Sequence, residues 1–307
     1  MTATNEAIVT PVLQHDTPRS IADRMWHAFR TLPLIPAIIL ILLVVVGIFA
    51  PWIAPHDPLA QDLSKRSAPP VWYPQGSADH LLGADHVGRD VLSRVIHGAR
   101  VSLVVAGISL ATGIVVGTSL GLIAGYFGGL PDEVITRVVD VWFALPFILI
   151  ALVAAIIFGA SFGLVLTLLA LLTWAPFVRF IRGDVLSLKE RDYVALARVA
   201  GASHWRIMVR HLLPGTLNTM IVVATLRVGQ LILTEATLSF IGAGIPAPRP
   251  AWGLMVAEAR DYVATAWWGA AFPGLAIFLI VMSMNFLGDW LRDRFDPRLR
   301  QLHQGHS

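Results

Sequence analysis

The chain has no cysteine. That excludes disulfides, thiolate metal sites and cysteine nucleophiles. Lysine is nearly missing as well: Lys65 and Lys189 are the only two, and neither follows a glycine. A phosphate-cradling GxxxxGK[ST] loop therefore cannot form, and the chain does not bind ATP through that motif. Charge is scarce altogether, at 14% of 307 residues, against about a quarter in soluble domains. Hydrophobic residues make up 56%, and the mean hydropathy is +0.69. This balance excludes a disordered chain or a nucleic-acid-binding arm and points to a membrane protein. The formal charge is only +3. In a membrane chain such a surplus reflects charge segregated across the bilayer rather than an acidic ligand.

A helix crossing the hydrocarbon core needs about 20 apolar residues. Thr31–Pro55 carries no Asp, Glu, Lys or Arg and follows Arg19, Arg24 and Arg30; its length and position suit an uncleaved first span better than a signal peptide. The next uncharged runs are Val101–Pro131 and Val141–Val178. The latter is too long for one helix, and Gly159-Ala160-Ser161-Phe162-Gly163 is the expected turn between a third and a fourth span. A fifth is expected over Thr216–Ile241, containing Arg227 and Glu235, and a sixth between Asp261 and Asp289. The expected fold is an all-α membrane protein with six transmembrane helices.

Orientation follows from the basic residues. With the N-terminus inside, 15 of the 23 fall on the cytoplasmic side: three in the first tail, Arg137, seven over Arg179–Arg210 and four in the last tail. Both termini are therefore expected in the cytoplasm. Residues 1–30 form a tail in which Ile21, Met25, Trp26 and Phe29 share a helical side suited to the inner surface. Residues 31–298 form the membrane domain, and 299–307 a second tail. Two segments exceed the length of a connector: the outer loop 55–97 and the inner loop 182–214.

Gly113, Gly117, Gly121 and Gly125 recur every four residues. On a helix they make a flat ridge for close backbone approach, either for bundle packing or as a conformational hinge. In the inner loop, Asp192 is expected to cap a helix from Tyr193 to Ala200 that Gly201 ends. Ser203 is expected to cap a second short helix through Ile207 and Leu212, with Pro214 opening the next span. Nothing there looks catalytic. Two short amphipathic helices on the cytoplasmic face form a knob for docking a soluble partner.

Anchored on Gly201, this loop resembles the signature cytoplasmic loop of ABC-importer permeases: EAA, three residues, Gly, nine residues, Ile, one residue, Leu-Pro. Ala197, Gly201, Leu213 and Pro214 match; Ala195 stands for the glutamate, Leu196 for an alanine and His211 for the isoleucine. Further stretches are similar to the dipeptide/oligopeptide/nickel permeases, in particular their "C" subunits. They are His80–Arg94, Glu235–Gly244, Pro250–Gly253, Ala266–Trp268, Phe272–Ala276, Gly288–Asp293 and Asp296–Arg298. Together they span nearly all of Thr31–Arg298 in order. The resemblance implies a type I ABC importer permease fold. It also implies half a channel in a bacterial inner membrane, among membrane lipid, completed by a second homologous permease. Two ABC ATPase subunits would bind ATP and magnesium, and an extracytoplasmic substrate-binding protein would deliver a peptide, nickel or another small solute. No cofactor is expected on this chain. Ala195, Ala197, Gly201, Leu213 and Pro214 would shape the coupling knob, and Tyr193, Arg198 and Trp205 are the candidates for ATPase contact.

The remaining polar residues have competing readings. His80, Asp85, His86 and Asp90 are ligand types, but Gly83 and Gly88 break any single helical face and the resemblance gives the stretch a structural role; no metal is expected. Arg227 and Glu235 are intramembrane charges, functional suspects by default. Eight residues, about 12 Å of rise, keep them from meeting, and structural and translocation roles both stand. Asp289, Arg292, Asp293 and Arg294 are expected to pair locally at the last helix exit, and Trp267-Trp268 to sit in an interfacial aromatic belt. A self-sufficient secondary transporter would need inverted repeats and a midplane ion site, which the sequence lacks. An intramembrane hydrolase would need a nucleophile beside a base at depth, and all ten histidines lie in loops, tails or span ends.

Overall fold

The computed structural model describes residues 33–295. The expected surface helix around Ile21–Phe29, both tails and Asp296–Arg298 lie outside them. Among the described residues the regular structure is helical, with no strand and one isolated bridge between Ala84 and Asp90. The helices are α1 (Leu34–Ile48), α2 (Ala50–Ile53), α3 (Val91–Phe127), α4 (Gly129–Ala144), α5 (Phe147–Phe158), α6 (Phe162–Leu188), α7 (Asp192–Val199), α8 (His204–Phe240), α9 (Trp252–Ala259) and α10 (Trp268–Phe295).

Four of these, α3, α6, α8 and α10, are each long and apolar enough to cross a bilayer. The pair α4–α5 is long and apolar enough for a crossing only when taken together, and it is bent by 78° at its break. Here the structure departs from the third span expected to open at Val141 after a short loop near Arg137, since a helix already runs from Gly129 through Arg137 to Ala144. Leu145-Pro146 interrupts it, because a proline cannot donate to the helix ladder and its predecessor is pushed to extended backbone, as Leu145 is. The turn expected at Gly159–Gly163 is present, with Ser161 accepting from the Leu164 amide. The first span is shorter than expected. It is the 15-residue α1, continued past Phe49 by α2, with Pro51 in its first turn. The two together reach about the 20 residues a bilayer core requires.

Helices α3, α6, α8 and α10 pack on one another, with α1 against α3 and α10 and α9 wedged between α8 and α10. One apolar core joins Leu40 and Leu43 of α1 to Val91, Ala99 and Ala106 of α3 and to Trp252, Met255, Trp268 and Ile280. A second joins α5, α6 and α8 through Ala151, Val165, Leu169 and Leu231. Outside these cores large apolar side chains stay uncovered along α1, α4, α5 and α10, as expected where lipid is the solvent.

The glycine ridge lies against α6. A β-carbon at Gly113 would fall 2.6 Å from Thr173 Cβ, and one at Gly117 2.4 Å from the Trp174 carbonyl oxygen. At Gly121 and Gly125 it would meet Ile181 and Val185 at 2.9 and 2.8 Å. The bare backbone is thus what lets α3 and α6 touch along their length. Between Gly113 and Gly117 α3 takes one wide π turn.

Candidate functional site

Helix α3 is about 54 Å long at 1.5 Å per residue, and its ends meet two different constructions. At its C-terminal end stands the knob, α7 and the start of α8. Asp192 is not the cap of α7 that the sequence suggested. It is the first helical residue, and Arg191 precedes it without a side-chain cap. Acidic charge in a first turn is favourable without capping. The helix ends in a Schellman turn: the Gly201 amide donates to Arg198 O and the Ala202 amide to Ala197 O, each at 3.0 Å. Gly201 has φ +75°, a conformation glycine adopts at no steric cost.

Ser203 caps the next turn through the Arg206 amide. The second short helix expected there is not separate, however. From His204 the chain runs through a π turn at Met208–Leu212 into Leu213–Phe240 as one 37-residue helix. Pro214 does not start a new element. Lacking an N–H, it leaves a carbonyl of the preceding turn without its usual donor, and the wide turn just before it absorbs the change in bonding register.

The knob is held by a small core of Leu122, Tyr126, Ile181, Val185, Val194, Ile207, Met208 and Leu212. Tyr126 Oη and His204 Nδ1 are 2.8 Å apart, and Lys189 Nζ donates to Gly125 O at 3.0 Å. Nearby, Arg179 pairs with Asp140, and Arg182 with Asp132, tying α4 to α6. Of the residues singled out in the sequence, Ala197 and Gly201 build the turn. Leu213 packs on the knob core while Pro214 is exposed. Arg198 lies 5.7 Å from the Tyr126 ring centroid. Tyr193, Ala195 and Trp205 face outward. With them are Leu196 and Val199, the latter 88% exposed and Trp205 72%. The result is an uncovered apolar patch on a well-buried base. An apolar cavity of about 330 Å³ lies beneath Trp205, where Ile114 and Val115 of one π turn face Met208 and Val209 of the other.

The other end of α3 is closed by charge. Arg89 Nε donates to Asp85 Oδ2 at 2.6 Å and Arg89 Nη2 to Glu258 Oε2 at 2.7 Å; Arg94 Nη2 donates to Glu258 Oε2 at 2.9 Å, and Arg94 Nη1 also donates to Asp85. Arg94 is 1% exposed. Burial by itself raises the Asp85 pKa, but the charges of Arg94 and Arg89 and the amides of Arg89 and Val87 outweigh it and hold the carboxyl below its ordinary 3.8. Trp252 Nε1 donates to Val95 O, and Trp268 Nε1 to Ala84 O, both at 2.9 Å. Trp268 is therefore a buried anchor for the 55–97 loop. Only Trp267, half exposed and donating to Tyr73 Oη at 3.0 Å, keeps the interfacial place expected of the pair. The sequence named Asp85 but missed Glu258 as its counterpart, some 170 residues away.

Arg227 and Glu235 do not meet, as their spacing implied. Arg227 donates to Gln230, one turn on, at a partly open face of α8. Glu235 is buried, accepts from Ser239 Oγ at 2.7 Å, and Ser239 Oγ in turn accepts from the Ile245 amide at 3.1 Å. A cavity of about 390 Å³ between α6, α8 and α10 is lined by Phe180, Asn218, Thr219, Leu226 and Arg292 among others.

Residues 117–301, which hold the knob, the whole of α8 and Glu258, match the family model described as "Binding-protein-dependent transport system inner membrane component". The chain belongs to that family. Residues 20–70 of this permease match the "N-terminal TM domain of oligopeptide transport permease C". It is 43% identical over 299 residues to the dipeptide transport system permease protein DppC of Escherichia coli K12, covering 97% of this chain and 98% of that one. It is 41% identical over 261 residues to the di/tripeptide transport system permease protein DppC of Pseudomonas aeruginosa UCBPP-PA14, covering 85% and 86%. Its identity to the glutathione transport system permease protein GsiD of Pectobacterium atrosepticum is 38%, over 94% of this chain and 95% of the relative. Among solved structures the fold resembles an inward-facing form of the MetNI methionine ABC transporter, with a TM-score of 0.50 at 20% identity, over 65% of this chain and 95% of that chain. The permease fold and the multi-pass membrane character expected from the sequence hold.

Proposed function

We propose that this permease forms half of the translocation pathway of an ATP-driven peptide importer in a bacterial inner membrane. A related permease supplies the other half, and two ATPase subunits carry ATP and magnesium. The observation that carries this reading is the knob. Its uncovered Leu196, Val199 and Trp205 lie on the two helices joined by the Schellman turn, and the second of these is the beginning of a 37-residue membrane helix. An ATPase seated there would push on α8 itself, since the knob's second helix continues into it through the π turn at Met208–Leu212 without a loop. Closure of two ATPases around ATP would thus bias the bundle between two states by differential contact. With alanine at 195, this docking rests on apolar packing and neighbouring charges rather than on a glutamate.

Both termini lie in the cytoplasm on this reading, with the knob. A substrate-binding protein docks at the opposite end, near His80–Arg94 and Gly244–Tyr262. The chain has no catalytic role of its own. Arg227, with Gln230, takes the translocation role, since a cation on a partly open face of a membrane helix can guide a peptide carboxylate. Glu235 takes the structural role, because its hydrogen bonds close the turn after α8. The relatives named for di- and tripeptides and for glutathione support short peptides as cargo.

The test is gentle detergent extraction of the tagged chain from its own locus, then uptake assays with labelled dipeptides. Two ATPases and a second six-span protein should come with it, and uptake should cease without the chain. Recovery of the chain alone, stable and monodisperse, would sink the complex; uptake of a different solute only would replace the cargo.

A further inference from the structure

The quartet His80, Asp85, His86 and Asp90, read from the sequence as structural, is divided by the fold. Asp85 belongs to the arginine cluster, and His86 stacks on Tyr262 at 5.2 Å. His80 and Asp90 instead meet a third residue that no sequence motif joins to them, His56, which follows the first span. His80 Nδ1 lies 3.0 Å from Asp90 Oδ1 and His56 Nδ1 3.8 Å from Asp90 Oδ2. One donor atom from each of the three lies within 4.8 Å of the others.

We infer that His56, His80 and Asp90 form a binding site for a first-row divalent cation, zinc by preference. Two imidazoles and a carboxylate are a common zinc ligand set that leaves a fourth position open. In a tetrahedral shell with bonds near 2.05 Å, neighbouring donors stand about 3.3 Å apart. His80 is near that distance from one oxygen of Asp90, His56 stands 3.8 Å from the other, and a spread of at most 4.8 Å among the three donors leaves a small turn of the His56 ring to close the shell. The carboxylate is already oriented, because Asp90 Oδ2 accepts from the Ser93 amide at 2.8 Å and from Ser93 Oγ at 2.7 Å. Ser93 Oγ also accepts from the His56 amide at 3.0 Å, so one hydroxyl positions two of the ligands. Such outer hydrogen bonds are what fix ligands in metal sites. The His80 ring is buried and its Nε2 has no hydrogen-bond partner among the described residues, leaving Asp90 as its polar contact. The His56 side chain is 42% exposed, so an ion can reach the site and the ring can turn to close the last few tenths of an ångström. A bound ion ties the start of the 55–97 loop, just after the first span, to its middle and to the Asp90 cap of α3.

The test uses the full chain, in its complex or in detergent, carrying a tag without histidine. After chelator treatment it is titrated with zinc against a chromophoric competitor, and bound metal is counted by mass spectrometry. One zinc per chain is expected. His56→Ala, which changes a half-exposed side chain, should weaken binding at least tenfold, and His86→Ala should not. His56→Cys adds a thiol to a chain that has none; loaded with cobalt, it should show a thiolate charge-transfer band absent from wild type. Binding well below one zinc per chain, equal affinity in wild type and His56→Ala, or no such band would each overturn the site.

Discussion

The two ends of α3 solve opposite problems with similar residue types. At the loop end, two arginines are paired with two carboxylates and two tryptophan N–H groups with backbone carbonyls, largely out of solvent. At the knob end, Tyr193, Leu196, Val199 and Trp205 remain in the open on a base that is itself well packed. Buried polar groups are costly unless matched, so the loop end spends its interactions on its own closure. The knob leaves apolar area uncovered, which a monomer has no reason to do. The comparison separates what stabilises this permease from the surface proposed to couple it to an ATPase, and substitutions at each end should read out differently.

The largest effect is expected at the loop end. Asp85→Ala leaves Arg94 buried beside a single carboxylate, and losing one partner of a buried ion pair costs about 3–5 kcal/mol. Unfolding in detergent, followed by tryptophan fluorescence, should show this as a large drop in midpoint at neutral pH. The sign with pH follows from the lowered Asp85 pKa. Its stabilisation is complete above the ordinary value of 3.8 and is lost as pH falls through the folded value. The gap between variant and wild type should therefore narrow in acid below about pH 4. A gap unchanged down to pH 3 would mean that packing at position 85, rather than charge, closes this end.

A middle-sized effect belongs to the stem joining the ends. Gly117→Ala puts a methyl 2.4 Å from the Trp174 carbonyl oxygen, and overpacking of this kind costs about 1–3 kcal/mol. Gly107 has nothing within 4 Å of its missing β-carbon, so Gly107→Ala should be neutral or slightly stabilising. Equal midpoints for the two variants would show that the ridge does not set the distance between α3 and α6. Smaller again, Gly201→Ala forces an L-residue to φ +75°, a strain of about 1–2 kcal/mol. Its signature should be faster proteolysis around Arg198 with the midpoint hardly moved. Protection equal to wild type would place the knob's rigidity elsewhere.

Much of this contrast was legible in the chain. Uncharged runs mark helices because lipid forbids unpaired backbone, and Gly201 marks the end of α7 because glycine takes the left-handed conformation that a Schellman turn needs. What could not be read were pairings over long separations. Glu258 reaches Arg89 and Arg94, and His56 reaches Asp90, only because the bundle folds those segments together; no periodicity encodes it. The bend at Pro146 was overlooked for a different reason: hydropathy counts apolar residues and is blind to a missing N–H. The merger of the knob's second helix with α8 was hidden because Pro214 ordinarily announces a helix start, whereas a π turn lets it ride inside one.

The smallest change in stability is expected where the functional loss is greatest. Trp205 and Leu196 make little contact within the chain, and surface substitutions of this kind stay within about 0.5 kcal/mol. Trp205→Ala should thus fold and insert like wild type. If the ATPase seats on this patch, an exposed tryptophan at its centre is the kind of side chain that dominates an interface, worth about 2 kcal/mol or more, which is roughly a thirtyfold loss of affinity. Binding of purified ATPase to the permease pair in nanodiscs measures this directly. Leu196→Ala should give a smaller loss in the same assay, and Asp85→Ala, once folded, none. Unchanged ATPase affinity in Trp205→Ala would move the contact to α7 alone. Unchanged affinity in a Leu196→Asp, Trp205→Asp double variant would remove the docking role of the patch and, with it, the contrast between a closed end and an open one.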